Sequence, residues 1–440
     1  MLETIRNAWR IDDLRKKMIY TLMIIMVFRI GAAIPVPFMN PQVLTELASG
    51  GGAGLIGYID ILTGGAFSRA TLFAMSISPY ITASIIMQLL TVAIPALEAM
   101  QKEGADGRKK LAKITRYATI GLALLQSVAY YIMNYNLYSP DFGEFAVKYR
   151  DGFNGWFSAI VIVSCFTAGA MLIVWLGESI DKRGIGNGIS IILFAGIISR
   201  GPSTIYMLRH YWERALSGER QYYFLVPFIV VMFLFVIGAI VLMTNAERRI
   251  PVQYAKRVVG RKMYGGQASY IPIKVTMSGV MPIIFASAIL SIPTMIVGFA
   301  GMDTTRGIGR VLNWLSYDTA FYAVLYLLLI IAFNYFYVAI QYNPLEMANN
   351  LRKNNGTVPG IRPGKPTSDF ISKVISKITL VGALFIGAIA IIPVLLAGLA
   401  QIPDLGLGGT SIIIIVGVAL DTVRQLESQM MMRHYKGFLE

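Results

Sequence analysis

The sequence predicts an all-α polytopic membrane protein with ten transmembrane helices. Three observations predict it. Hydrophobic residues make up 55% of the 440 and charged ones only 14%, with a mean hydropathy of +0.61, whereas a soluble chain carries about 25% charged residues. Apolar runs of about 20 residues, the length a helix needs to cross a bilayer, recur along the chain. Lys and Arg collect in alternate loops between those runs.

In chain order, residues 1–17, MLETIRNAWRIDDLRKK, form a charged N-terminus. It is expected to be retained, because the apolar run after it is too long for a signal peptide's core and no small-residue cleavage site follows. The predicted spans are 18–35, 71–92, 116–136, 155–176, 186–204, 222–243, 275–298, 317–340, 374–397 and 409–428. Pro35 and Pro37 stop the first span, and Gly408-Gly409 with Thr410 start the last. The run 55–63 is too short to cross on its own. Cys165 lies inside the fourth span and reads as a small buried apolar residue; with a single cysteine there is no disulfide framework.

Orientation follows from the basic residues. Most of the 39 Lys and Arg fall on one side: in the N-terminus, in loops 93–116, 177–184, 244–274 and 341–377, and in the tail. Both termini are therefore expected in the cytoplasm, which the even span count matches. The chain divides into an N-terminal half (18–204, five spans), a C-terminal half (205–429, five spans) and a cytoplasmic tail (430–440). Five is odd, so the halves run in opposite directions, as in many transport proteins. No residue-level repeat accompanies that symmetry.

Two cytoplasmic loops are long. In 244–274, RIPVQYAKRV and RKMYGGQASYIPI alternate like strands around Val259-Gly260, which predicts a basic hairpin. In 341–373, GTVPGIRPGKP is too rich in Gly and Pro for regular structure.

The segment IDILTGGAFSRATLFAMSISPYITASII, 59–86, breaks almost as soon as it starts. Unpaired backbone in hydrocarbon costs several kcal/mol per group, so a break at membrane depth belongs inside protein or beside water. Residues 55–65 then form a short half-helix dipping in from the outer side, hinged by Gly50-Gly51-Gly52 and Gly64-Gly65, a movable stopper. The other reading is an outer loop lying on the surface. At the fifth span, RGIGNGISIILFAGI supplies Gly184 and Gly188, a small-xxx-small pair suited to close helix contact, and Asn187 as a helix cap. Ile189 and Leu193, like Ile81 and Ile85, are four apart and share a helix face; that spacing by itself describes core or lipid contact.

Ionisable groups inside the spans are scarce. Arg29 is the clear case, and His210 and His434 lie outside. There is no HExxH, GxSxG, Walker loop or metal-ligand cluster, so no catalytic residue, metal site or cofactor is expected. Asn355-Gly356-Thr357 matches a glycosylation sequon, but on the cytoplasmic side the match is fortuitous. The hairpin carries Arg248, Arg249, Lys256, Arg257, Arg261 and Lys262. Topology alone accounts for positive loops, yet this density also suits RNA phosphates or an acidic protein partner.

Taken together, SPYITASIIMQLL, KEGADGRKKLAKITRY, RGIGNGISIILFAGI, YAKRVVGRKMY, VPGIRPGKPT and GGTSIIIIVGVALD resemble the bacterial SecY protein-conducting channel family. The resemblance runs in order over essentially the whole chain. It implies a ten-helix clam shell of two inverted halves around an hourglass pore, and a plug at roughly 55–66 (Tyr58, Ile59, Asp60, Ile61, Leu62, Thr63, Gly64 and Gly65). Its motifs put a pore ring at Ile81, Ile85, Ile189, Leu193, Ile284 and Ile414, with a lateral exit between the second and seventh spans. They put docking of the SecA motor ATPase or the ribosome, through ribosomal RNA and proteins, on Lys256, Arg257 and Arg362. Arg248, Arg249, Arg261 and Lys365 belong to the same loops. The implied partners further include the small membrane subunits SecE and SecG, signal peptides, nascent chains and membrane lipids. The implied location is the bacterial cell (inner) membrane, multi-pass, and the implied activity is polypeptide passage driven by others, without enzymatic chemistry.

Two other readings remain for the residues alone. A small-solute transporter needs polar ligands at mid-membrane, which are sparse. A receptor that anchors ribosomes or an ATPase needs neither stopper nor collar.

Overall fold

A helix lies on each of the ten predicted runs in the computed structural model, which describes residues 2–49, 65–135, 137–140, 142–217, 220–254, 257–259, 262–264, 268–300, 319–400 and 409–436. In order these helices are α1 (Leu2–Trp9), α2 (Asp12–Gly31), α3 (Pro41–Ser49), α4 (Ser78–Ala93), α5 (Pro95–Lys102), α6 (Ala105–Tyr135), α7 (Gly152–Arg183) and α8 (Gly188–Ile198). They continue with α9 (Gly201–Leu216), α10 (Arg220–Asn245), α11 (Met281–Ala300), α12 (Ala320–Gln341), α13 (Pro344–Lys353), α14 (Lys365–Ala400) and α15 (Gly409–Lys436). Among the described residues five stretches can cross a membrane on length and composition: Gly152–Arg183, Gly188–Leu216, Tyr222–Asn245, Phe321–Lys353 and Lys365–Ile392. The pair α4–α5, bent by 100° at Ile94, makes a sixth if it is one broken span.

The second span differs from expectation. Helix α4 begins at Ser78, not near 71, and its 16 residues reach only about 24 Å at 1.5 Å per residue. Pro79 sits in the first turn, where its missing N–H costs nothing; a helix continuing upstream would lose that hydrogen bond and clash with the ring. Residues 66–77 instead run as successive turns, with Ala70 and Ser76 at positive φ. Their polar groups are satisfied by protein. Val36 N–H donates to the Ala70 carbonyl and Leu72 N–H to that of Ile34, both at 2.9 Å, and Tyr130 Oη donates to the Phe67 carbonyl at 2.8 Å. Irregular backbone at membrane depth survives only on such terms.

Among the described residues four large apolar cores, beside one small one, organise the rest. One joins α6, α7 and the turns 66–75 through Tyr130, Ile162 and Phe166. A second joins α10, α11, α12, α14 and α15 through Ile240, Ile283, Tyr326, Ile386 and Ile413. The third, built on Phe28, Phe73, Ile173, Ile192 and Leu193, also takes in Ile414 and Val418 of α15. It is the seam between the two sets of helices.

The fourth core lies under the basic loops. After a two-residue pair, β1 (Tyr138–Ser139) with β2 (Glu144–Phe145), the predicted hairpin is present: β3 (Glu247–Tyr254) pairs antiparallel with β6 (Ala268–Lys274), and inside it β4 (Arg257–Val259) pairs with β5 (Lys262–Tyr264). The Gly/Pro-rich loop, expected to be irregular, contributes β7 (Gly356–Thr357), which pairs with β3 through Gln253↔Thr357 and Tyr254↔Gly356. Gly356 is required there, because a Cβ would stand 2.9 Å from the Tyr254 ring. Ile250, Val252, Ile273, Leu351, Val358 and Ile371 pack beneath this sheet, binding the two loops into one platform.

Candidate pore constriction and docking surface

The expected ring residues come from four helices. Ile81 and Ile85 are on α4, Ile189 and Leu193 on α8, Ile284 on α11 and Ile414 on α15. Leu193 and Ile414 belong to the seam core, and Ile81, Ile189 and Ile284 pack against it as partly buried side chains. Ile85 is buried too, one turn along from Ile81, but is outside that cluster.

Local sequence sets this convergence. Helix α8 starts where Asn187 Oδ1 accepts from Ser190 N–H at 3.1 Å, as its capping role predicts. Asp181 Oδ1 adds a second acceptor, taking the Gly188 N–H at 2.7 Å. Gly188 lies so close to α7 that a Cβ would be 2.0 Å from the Gly177 carbonyl oxygen. Gly184 is similarly confined by Thr21 Oγ1, at 2.6 Å from its notional Cβ. Both glycines are in close contact, but not as a pair on one helix as expected: Gly184 ends α7 and only Gly188 belongs to α8, because the chain turns at 184–187. On α15, Gly417 leaves room for Val280, whose Cγ1 would meet a Cβ at 2.9 Å. Sequence reading passed over Gly417 and Val280; the signal was a glycine one turn beyond Ile414.

Of the plug residues, Tyr58, Ile59, Asp60, Ile61, Leu62, Thr63 and Gly64 lie outside the described residues. Gly65 is described, at φ +85°, a conformation open to glycine and costly for other residues. Arg29 is half-buried beside the seam; its guanidinium sits 5.9 Å from the Phe28 ring, and Nη1 has no hydrogen-bond partner. Among the described residues no group of three His, Cys, Asp or Glu could hold a metal ion.

On the platform, Arg248 and Arg249 are exposed on β3. Arg249 Nε donates to Glu247 Oε1 at 2.7 Å and lies over the Tyr270 ring at 4.8 Å. That hydrogen bond holds the guanidinium above its ordinary pKa. Arg362 and Lys365 are exposed at the start of α14, where the Arg362 carbonyl accepts from Thr367 Oγ1 at 2.8 Å. Arg257 is on β4, while Lys256 and Arg261 lie outside the described residues.

Long apolar helices in two sets that meet at an apolar core place the chain, in class, among multi-pass helical membrane proteins. The comparisons are specific. Residues 71–423 match the SecY family. The protein translocase subunit SecY of Streptomyces galbus is 44% identical over 446 residues, covering all of both chains. A solved SecY, described as having a plug domain that stabilises the closed state of the translocation channel and maintains a membrane seal, superposes with a TM-score of 0.62. It is 20% identical and covers 94% of this chain and 92% of its own. Sec61 from the canine ribosome-channel complex of the endoplasmic reticulum gives 0.60 at 19% identity, with the same coverage. The chain belongs to the SecY family. It is a subunit of a protein-conducting channel that translocates proteins across a membrane, a transporter and not an enzyme.

Proposed function

We propose that this chain forms the pore itself, with ten crossing helices arranged as two inverted halves, 18–204 and 205–429, around an hourglass channel. Unfolded secretory polypeptides pass through it, and hydrophobic segments leave sideways into lipid. The observation that carries this reading is the meeting of Ile81, Ile189, Leu193, Ile284 and Ile414 at one apolar cluster fed by helices of both halves.

A channel for polypeptide admits side chains of every kind, so its narrowest point offers no fixed binding chemistry. An aliphatic collar blocks ions by dewetting, yet it deforms around a threaded chain because dispersion contacts are non-directional. Ile85 completes the ring on α4. Residues Tyr58–Gly65 form the plug beneath it, a reading supported by the glycine hinge at Gly65 and by the plug domain described for the similar SecY structure. The lateral exit runs between α4 and α11, which touch. A segment of about 20 apolar residues leaves favourably, since each central Leu, Ile, Phe or Val gains roughly 0.3–0.6 kcal/mol.

The basic platform carries Arg248, Arg249, Lys256, Arg257, Arg261, Arg362 and Lys365 and docks the SecA motor or the ribosome. A ribosome-bound relative among the structural neighbours supports the second partner. SecE and SecG are the small membrane partners, and signal peptides, nascent chains and lipids meet the lateral exit. The bias of Lys and Arg supports both termini in the cytoplasm of a bacterium, with the chain in its inner membrane.

The test is reconstitution of the full chain with SecE, SecG and SecA in vesicles, scoring protease protection of a labelled precursor. ATP-dependent protection is expected, and its absence in vesicles that retain the subunits would overturn the reading.

A further inference from the structure

Helix α15 carries more than Ile414. Ile414, Gly417, Asp421 and Arg424 follow one another at spacings of three or four residues, so they form one stripe along the helix. From Ile414 to Arg424 that stripe is about 15 Å long at 1.5 Å per residue. At its end Arg424 grips α10. Nη2 donates to the Thr244 carbonyl and to Asn245 Oδ1, both at 2.8 Å, and Nη1 stands 3.8 Å from Asp421 Oδ1.

In part this is a helix cap, since the last carbonyls of α10 lack intrahelical partners and a guanidinium suits that end of the dipole. Two further observations go beyond a cap. Thr244 and Asn245 end α10, and β3 of the basic hairpin starts at Glu247. Between them the Ala246 carbonyl accepts from Val275 N–H at 2.9 Å, which closes the foot of the hairpin. Arg424 therefore ties that foot to the helix bearing Ile414, whereas the hairpin's own chain leads into α10 and α11. Hydrogen bonds from a charged donor are strong and directional, so they transmit a displacement that apolar contacts would let slide.

The second observation is a cavity of about 510 Å³ beside the stripe. Gly417, Asp421 and Arg424 line it from α15, with Lys274, Ser278 and Tyr337 among its other walls. Close-packed interiors resist displacement. A void along this face leaves α15 room to shift.

We propose, on the reading of platform and collar given above, that Arg424 is a positioning residue that carries docking to the collar. A partner bound on the platform displaces the foot of the hairpin. Arg424 passes that displacement to α15, and Ile414 leaves the apolar cluster.

The test uses the full chain with SecE and SecG in vesicles. SecA affinity and the export rate at saturating SecA are measured side by side. In Arg424→Ala the affinity stays within about twofold of the parent while the rate falls by about tenfold, as loss of hydrogen bonds to a charged group predicts. Arg424→Lys, which keeps a donor in reach, recovers most of that rate. Asn245→Ala lowers the rate by less and adds nothing in combination with Arg424→Ala, because both remove one linkage. A second readout is the collar itself. With Cys165, the chain's one cysteine, replaced by Ala, Ile414→Cys should label faster with a water-soluble maleimide when SecA docks, and Arg424→Ala should abolish that acceleration. Should Arg424→Ala fail to accumulate, Asn245→Ala carries both predictions with Arg424 in place. An unchanged rate, a rate that falls only in step with lost SecA affinity, an additive double variant, or labelling that still accelerates would each overturn the linkage while leaving the channel intact. A parent that exports nothing with SecA overturns the docking reading itself, and the linkage with it.

Discussion

Replacing Ile414 by Asn tests whether the collar seals by being dry. Ile414 is 3% exposed and lies in the seam core. Its burial is worth about 1.5–3 kcal/mol, and an unpaired amide in its place costs about 1–3 kcal/mol more. The closed arrangement therefore loses about 2.5–6 kcal/mol, unless water enters to satisfy the amide. At 1.4 kcal/mol per tenfold, even the lower figure moves the balance between sealed and wetted states by roughly sixtyfold. Ile414→Val removes one methylene and costs about 0.5–1.5 kcal/mol, with no polar group to hydrate. The assay is ion leak from vesicles holding equal amounts of each variant. A large leak is expected for Ile414→Asn and little for Ile414→Val. Ile120→Asn, on an exposed face of α6, controls for general damage and should stay tight. Equal leak in the Asn and Val variants of Ile414 would show that dryness of this residue is not what holds ions back.

Gly188→Leu cannot be accommodated beside the Gly177 carbonyl, so it should destabilise the packing of α7 on α8 by several kcal/mol; a thermal midpoint within a degree of the parent would contradict this. Asp181→Ala removes one of two acceptors at the start of α8 and should cost about 1 kcal/mol, read in the same melt. Arg362→Glu reverses charge on an exposed residue of the proposed docking surface, so SecA-driven export should fall while the melting curve is unchanged. Normal export in that variant would remove Arg362 from the docking surface. Gly356→Val pushes β7 off Tyr254, and faster amide exchange in β3 at Gln253 and Tyr254 is the expected sign.

What was legible in the chain follows from which forces are local. Hydropathy located a helix on each of the ten predicted spans, and period-two alternation located the hairpin with its innermost pair at Val259↔Lys262. Asn187 declared a cap by its chemistry alone. The start of α4 was not legible, because Phe73, Ala74 and Met75 are buried in protein and hydropathy reads that burial as it reads lipid. Pro79 was the clue. Strand β7 was hidden because its partner is a hundred residues away, and two residues of Gly-Thr carry no periodic signal. The proposed collar was hidden for a similar reason. Spacing four apart says that Ile189 and Leu193 share a face but never which face meets α4, α11 and α15, and only the match to known motifs supplied that.

The bonds within and across the halves differ in kind, and that difference suits a channel. Each half is anchored internally by directional contacts. In the first, Phe67 and Tyr130 rings meet at 4.7 Å, Tyr130 and Phe166 at 5.0 Å, and the Tyr130 hydroxyl is hydrogen-bonded. In the second, Ser278 Oγ bonds Asn334 Oδ1 at 2.6 Å, and Arg424 Nη2 reaches the Thr244 carbonyl at 2.8 Å. Across the seam, the residues that α8, α11 and α15 bring to the cluster are aliphatic apart from Phe194, and aliphatic contacts have no angle to break. Polar ties between the first and last helices lie at one edge instead, where Lys17 Nζ bonds Gln429 Oε1 at 3.2 Å and Thr4 Oγ1 bonds Glu427 Oε1 at 3.0 Å, beside a small core of Ala8, Leu14, Ile185 and Leu426. In the proposed opening at α4 and α11, with that edge closed, the apolar contacts of the seam are the ones that give way.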